Sequence, residues 1–155
     1  MKGNKKIIES LNARLAEELT AINQYFVHAE MCENWGYGRL HSMIRKRSID
    51  EMKHAEKLIA RILFLEGKPI VSELNKIHIG TEVAKFHEND QKAEEVAILG
   101  YNESIKLVVE LGDNGTRELF ESILKEEESH IDLIEAQLDQ IKQMGVQNYL
   151  VEQID

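Results

Sequence analysis

The chain has 155 residues, a formal net charge of −9, 43% hydrophobic residues, one proline and one cysteine. That length suits one domain, taken as residues 1–155, with a core of its own. The acidic balance excludes nucleic acid and anionic membrane as direct partners, and no run approaches the roughly 20 apolar residues of a membrane span. Cys32 has no intrachain disulfide partner, as expected in a reducing cytoplasm. The first residues are basic, and Glu9 and Arg14 fall where a secretory signal needs an apolar run.

Apolar residues recur at helical spacing in four long segments. The first helix is expected over residues 5–33, on Ile8, Leu11, Leu15, Ile22, Tyr25, Phe26 and Ala29, with Glu18 inside that stripe. Gly36 and Gly38 end it. A second helix is expected over 39–65, with Leu40, Ile44, Ala55, Leu58, Ile62 and Leu65 on one face beside Glu51 and His54. Residues 66–81 form a connector marked by Gly67, Pro69 and Gly80. A third helix over 82–111 turns Ala97, Ile98, Tyr101, Ile105 and Val108 inward, with Glu94 one turn before Ile98. After the turn Gly112–Gly115, a fourth helix over 116–144 carries Phe120, Ile123, Leu124, Ile131, Ile134, Leu138 and Ile141 on the stripe that holds Glu127 and His130. Gly145 stops it, and Val146–Ile154 is read as a short fifth helix.

Two Glu-x-x-His pairs, Glu51/His54 and Glu127/His130, each sit one helical turn apart on one face. Glu18 and Glu94 lie 33 residues before Glu51 and Glu127 (51 − 18 and 127 − 94). In two antiparallel hairpins, these positions differ in height by only about 5 to 8 Å at 1.5 Å per residue. The connector can stretch roughly 50 Å along helices about 40 Å long. It can therefore cross the bundle and set helices two and three parallel. All six side chains then meet at mid-bundle. As ordinary core residues they would be four carboxylates with no cation on the same faces except Arg47, a very costly arrangement. Two divalent cations remove that cost. Ligation rich in carboxylate, with one imidazole per ion, suits iron or manganese.

A glutamate from each of two helices and a Glu-x-x-His from each of the others is the pattern of ferritin-like di-iron bundles. Ala21–Phe26, Asn34–Gly36, Ser48–Ala55, Arg61–Gly67 and Gln147–Leu150 extend the likeness over nearly the whole chain, which resembles the bacterioferritin family. That resemblance implies an all-α, ferritin-like four-helix bundle with a long crossover between helices two and three and a short fifth helix. It implies iron storage and ferroxidase activity, Fe(II) being oxidised by oxygen or peroxide at a centre of two iron ions. The metal ligands, which are also the catalytic residues, would be Glu18, Glu51, His54, Glu94, Glu127 and His130. Glu51 and Glu127 would bridge the irons, Glu18 and His54 would complete one ligand set, and Glu94 and His130 the other. Ferric mineral would fill a homo-oligomeric shell of 24 subunits built from two-fold dimers.

Taken alone, Met52 reads as packing on a second stripe with Arg45, Ile49, Glu56 and Ile59. The resemblance instead implies that it ligates haem b, or a related porphyrin, shared between two subunits, with Asn23, Phe26 and Arg45 nearby. It also implies electron exchange with a small ferredoxin. One departure concerns Asp50, an inner-surface iron ligand in the family, whose histidine partner is replaced here by Lys46. Glu66, Asp132 and Asp139 resemble pore carboxylates and equally suit solvated surface. His28, His41, His78 and His87 read as surface or packing residues. Trp35 and Tyr25 read as packing, either being an electron source if close to the irons. Two other readings are a rubrerythrin-like di-iron peroxidase or electron-transfer protein without storage, disfavoured by the single cysteine, and a DNA-coating mini-ferritin, disfavoured by the acidic charge.

Overall fold

A computed structural model describes all residues from Met1 to Asp155. Five helices and no strand make up the chain: α1 (Lys5–Asn34), α2 (Gly38–Phe64), α3 (Val83–Glu110), α4 (Asn114–Met144) and α5 (Val146–Val151). Their ends follow local chemistry. The side chain of Asn4 accepts from the N–H of Lys6 and starts α1, satisfying one of the orphan donors of a helix start. Asp113 does the same for α4 through the N–H of Thr116, which lets the helix begin two residues earlier than the apolar stripe suggests. Gly36, Gly112 and Gly145 have φ of 80°, 73° and 80°, the left-handed region that an L side chain rarely adopts. The final segment stays helical only to Val151 and ends in a turn.

Cross-helix hydrogen bonds fix the topology. The Ser48 hydroxyl donates to the Ile22 carbonyl, and His41 bonds the Ala29 carbonyl, so α1 and α2 run antiparallel. Arg14 donates to Ser104 and Gln24 to Asp90, so α1 and α3 are antiparallel as well. Helices α2 and α3 are therefore parallel, and the segment between them crosses the length of the bundle. Polar side chains of α1 pin that crossover. Asn12 accepts from the N–H of Ile70, Thr20 from Asn75, Gln24 from His78 and His28 from Gly80. The crossover has no secondary structure of its own, so these side chains supply the partners its backbone would otherwise lack.

Two apolar clusters fill the bundle. One joins Ile7, Leu11, Leu15, Ala55, Leu58, Ile62, Tyr101 and Phe120 with their neighbours. The other joins Tyr25, Ala29, Cys32, Leu40, Ile44, Phe86 and Tyr149 with theirs. Between them lies a buried layer of Glu18, Glu51, His54, Glu94, Glu127 and His130. Phe26, expected inward, is 53% exposed. It follows Tyr25 by about 100° of helix rotation, and Tyr25 occupies the core-facing position.

Candidate metal centre

Each helix delivers its part of the polar layer from a stripe that is apolar above and below. On α1, Glu18 lies between buried Leu15 and Ala21. On α2, Glu51 and His54 lie between Ile44 and Ala55. On α3, Glu94 lies between Phe86 and Ala97. On α4, Glu127 and His130 lie between Ile123 and Ile134. The helical repeat that packs the core thus brings all six together. Glu18, Glu51, His54 and Glu127 form one group and Glu51, Glu94, Glu127 and His130 a second. Within each group one ligand-capable atom per residue lies within 4.8 Å of the others. Glu51 and Glu127 belong to both.

Every one of the six carries a buried polar atom without a hydrogen-bond partner: Oε2 of Glu18, Oε1 of Glu51, Nδ1 of His54, Oε2 of Glu94, Oε1 of Glu127 and Nδ1 of His130. Nδ1 of His54 is 2.8 Å from Glu127 and Nδ1 of His130 is 2.7 Å from Glu51. These are close approaches that lack the angles of a hydrogen bond. Buried polar atoms are nearly always satisfied, so six converging exceptions fit a shared cation. Their other atoms are tied outward. Nε2 of His54 bonds Glu126, and Nε2 of His130 bonds Asp50 at 3.2 Å. A carboxylate accepts, so Nε2 carries the proton and Nδ1 turns its lone pair inward, the arrangement usual for metal-binding imidazoles. The Tyr101 hydroxyl donates to Oε1 of Glu18 at 2.6 Å, and the Tyr25 hydroxyl to Oε1 of Glu94 at 2.7 Å.

Electrostatics point the same way. Burial, then the charges of Glu18 and Glu94, pushes the Glu51 carboxyl well up. Burial, then Glu51 and Glu18, does so for Glu127. Glu94 is lowered: burial opposes this, and contacts with Glu127, His130 and Tyr25 overcome it. Both imidazoles are raised against the penalty of burial, His54 by Glu127, Glu18 and Glu51, and His130 chiefly by Glu94. Left to themselves, Glu51, Glu127 and the two imidazoles hold protons more tightly than usual. Divalent cations would displace those protons and hold the same charge balance.

The remaining predicted residues fall elsewhere. Asp50 stands outside both groups, accepting from Lys46 at 3.3 Å and from His130. Met52 is 52% exposed, about 100° round α2 from Glu51. Glu66, Asp132 and Asp139 are exposed, as is His78, and His41 is half-buried. Tyr25 does more than pack, through its bond to Glu94. Trp35 stacks on Phe86 with centroids 5.6 Å apart. His28 and His87 are fully buried and hydrogen-bonded, to Asp90 and to Tyr149. Arg47 pairs with Asp90 at 3.1 Å and lies over the Tyr25 ring, not on the six-residue layer. Tyr101, Glu126 and Asp90 were not foreseen as partners. Asp90 sits four residues before Glu94 on the same face, which is the signal that could have found it.

A bundle of this topology around a layer of four glutamates and two histidines defines a ferritin-like protein, and residues 8–144 match the family model of the ferritin-like domain. Curated relatives narrow the class. The bacterioferritin of Brucella melitensis biotype 1 is 44% identical over 149 residues, 96% of this chain and 92% of that protein. The bacterioferritin of Rhodobacter capsulatus is 42% identical over the same shares of each chain. That of Streptomyces coelicolor is 41% identical over 150 residues, 97% of this chain and 90% of its own. The chain belongs to the bacterioferritin family of iron-storage proteins. No helix is long and apolar enough to cross a membrane.

Proposed function

We propose that the six-residue layer is a ferroxidase centre for two iron ions, oxidising Fe(II) to Fe(III) with oxygen or peroxide ahead of mineral storage inside a 24-subunit shell. The observation that carries this reading is the set of six unpartnered, buried ligand atoms converging at mid-bundle. Glu51 and Glu127, common to both groups, would be shared by the two ions. Glu18 with His54, and Glu94 with His130, would complete the two ligand sets. Bound Fe(II) supplies the electrons, one from each ion. The chain itself orients and excludes. Glu126 and Asp50 hold the imidazole protons at Nε2, the tyrosines hold Oε1 of the outer glutamates, and the two apolar clusters keep bulk water from the layer.

The same reading places haem at Met52, between two copies of the chain. Support comes from an exposed thioether, with Phe26 53% exposed, on a chain that also exposes Val27, Trp35, Leu63 and Phe64. Large exposed apolar side chains in number call for a covering partner, and a two-fold axis presents one ligand twice. Aerobic titration of metal-free protein with Fe(II) tests the centre. A fast rise in ferric absorbance should saturate near about two irons per chain, with slower uptake following. Glu18→Ala and Glu127→Ala should each abolish the fast phase. A fast phase that survives both changes would put oxidation somewhere else.

A further inference from the structure

Tyr101 falls outside the spacing that picks out the six residues, yet it makes one of the shortest side-chain contacts to them. Its hydroxyl donates to Oε1 of Glu18 at 2.6 Å. The ring is fully buried and set edge-on to Phe120, with centroids 5.8 Å apart. The phenol therefore has no second place to go. Oε2 of the same glutamate is buried and free. Across the layer, Tyr25 treats Glu94 in the same way at 2.7 Å, again leaving Oε2 free. No phenol reaches Glu51 or Glu127, the two residues shared by both groups.

We infer that Tyr101 is a positioning residue that makes Glu18 a single-oxygen, terminal ligand rather than a chelating or bridging one. This rests on the two-ion reading of the centre. A carboxylate with one oxygen held by a buried donor offers one oxygen to one ion, whereas a carboxylate with both oxygens available can span two. The pair of tyrosines thereby sorts four chemically identical glutamates into two terminal and two bridging ligands. Without the Tyr101 hydroxyl, Oε1 of Glu18 is a buried acceptor with no donor. The carboxylate is then free to rotate about its broad terminal torsion.

Cobalt(II), whose visible spectrum reports its ligand set, is the probe for titrating metal-free protein. Wild type should bind two ions per chain with separable spectra. Tyr101→Phe should weaken one ion about tenfold, the scale for losing a partner that orients a metal ligand, and alter its spectrum alone. Tyr25→Phe should act on the other ion. In a Glu18→Gln background, Tyr101→Phe should have no further effect, as a coupled pair requires. Incorporation of 3-fluorotyrosine at position 101, a stronger donor of nearly the same shape, should shift the same ion's spectrum and keeps the test available if the Phe variant misfolds. If wild type binds no pair of ions, the two-ion reading and the Tyr101 role fall together. Two bound ions with spectra and affinities untouched by changes at Tyr101 would overturn the positioning role alone. So would equal losses at both ions, or with and without Glu18.

Discussion

At the scale of single residues, the molecule separates carboxylates by what surrounds them. Glu17 and Glu18 are adjacent in sequence and point to different places. Glu18 enters the polar layer. Glu17 pairs with Arg14 at 2.9 Å, and Arg14 also donates to Ser104 and the Gly100 carbonyl. Burial, opposed by Arg14 and reinforced by Glu18, raises the Glu17 carboxyl from 4.5 to about 7. Since the folded value lies above the unfolded one, the stability it contributes is complete below pH 4.5 and is lost as pH rises through 7. Glu17→Gln should therefore be stabilising at pH 8, by roughly 2 kcal/mol after allowance for partial solvent access, and nearly neutral at pH 4.5. Thermal unfolding of both proteins across that range measures the difference, and a gap that stays constant or widens toward low pH would contradict it. The six layer residues were legible in the sequence because their types and spacing are fixed by helix geometry. Tyr25 and Tyr101 were not legible as hydrogen-bond donors, because an inward tyrosine on an apolar stripe looks the same whether it packs or bonds.

At the scale of elements, periodicity carried most of the information. The four long helices begin and end within two residues of where the apolar stripes and glycines put them, the short fifth ends three residues early, and the connector length correctly implied parallel α2 and α3. Two features lay beyond reach. Phe26 reads as part of the α1 stripe because it borders Tyr25, and only the packing of α1 against its neighbours decides which of the two turns inward. The crossover reads as a mere spacer, yet Asn12, Thr20, Gln24 and His28, spaced eight, four and four residues apart along one face of α1, hold it. Polar residues at such positions suggest solvent until something is laid over them. Gln24 and His28 also bond Asp90, which pairs with Arg47, which lies over the Tyr25 ring. The crossover, three helices and one of the tyrosines beside the polar layer are thus joined through buried contacts. Removing one partner from such a network costs several kcal/mol because it strands the other charge.

For the whole molecule, the bundle serves as a container for the layer. Apolar clusters above and below exclude water, and the low dielectric makes unbalanced carboxylates unfavourable, which is why cations would bind there strongly. The outer surface shows different chemistry, with Phe26, Trp35, Met52 and Phe64 exposed. If Met52 holds haem between two copies, Met52→Leu should lose the haem absorbance of the purified protein while keeping the fast Fe(II) phase, since Met52 faces away from the layer. Full haem content in the variant would contradict that assignment. Sequence spacing could not reach the assembly, because contacts between copies leave no periodic trace in one chain.

Anomalous diffraction from crystals exposed to Fe(II) tests the central claim most directly. The account predicts two iron peaks per chain, about 3.5 to 4 Å apart, with Glu51 and Glu127 between them, Glu18 and His54 on one and Glu94 and His130 on the other. Iron bound elsewhere, with these six side chains unligated, would contradict it.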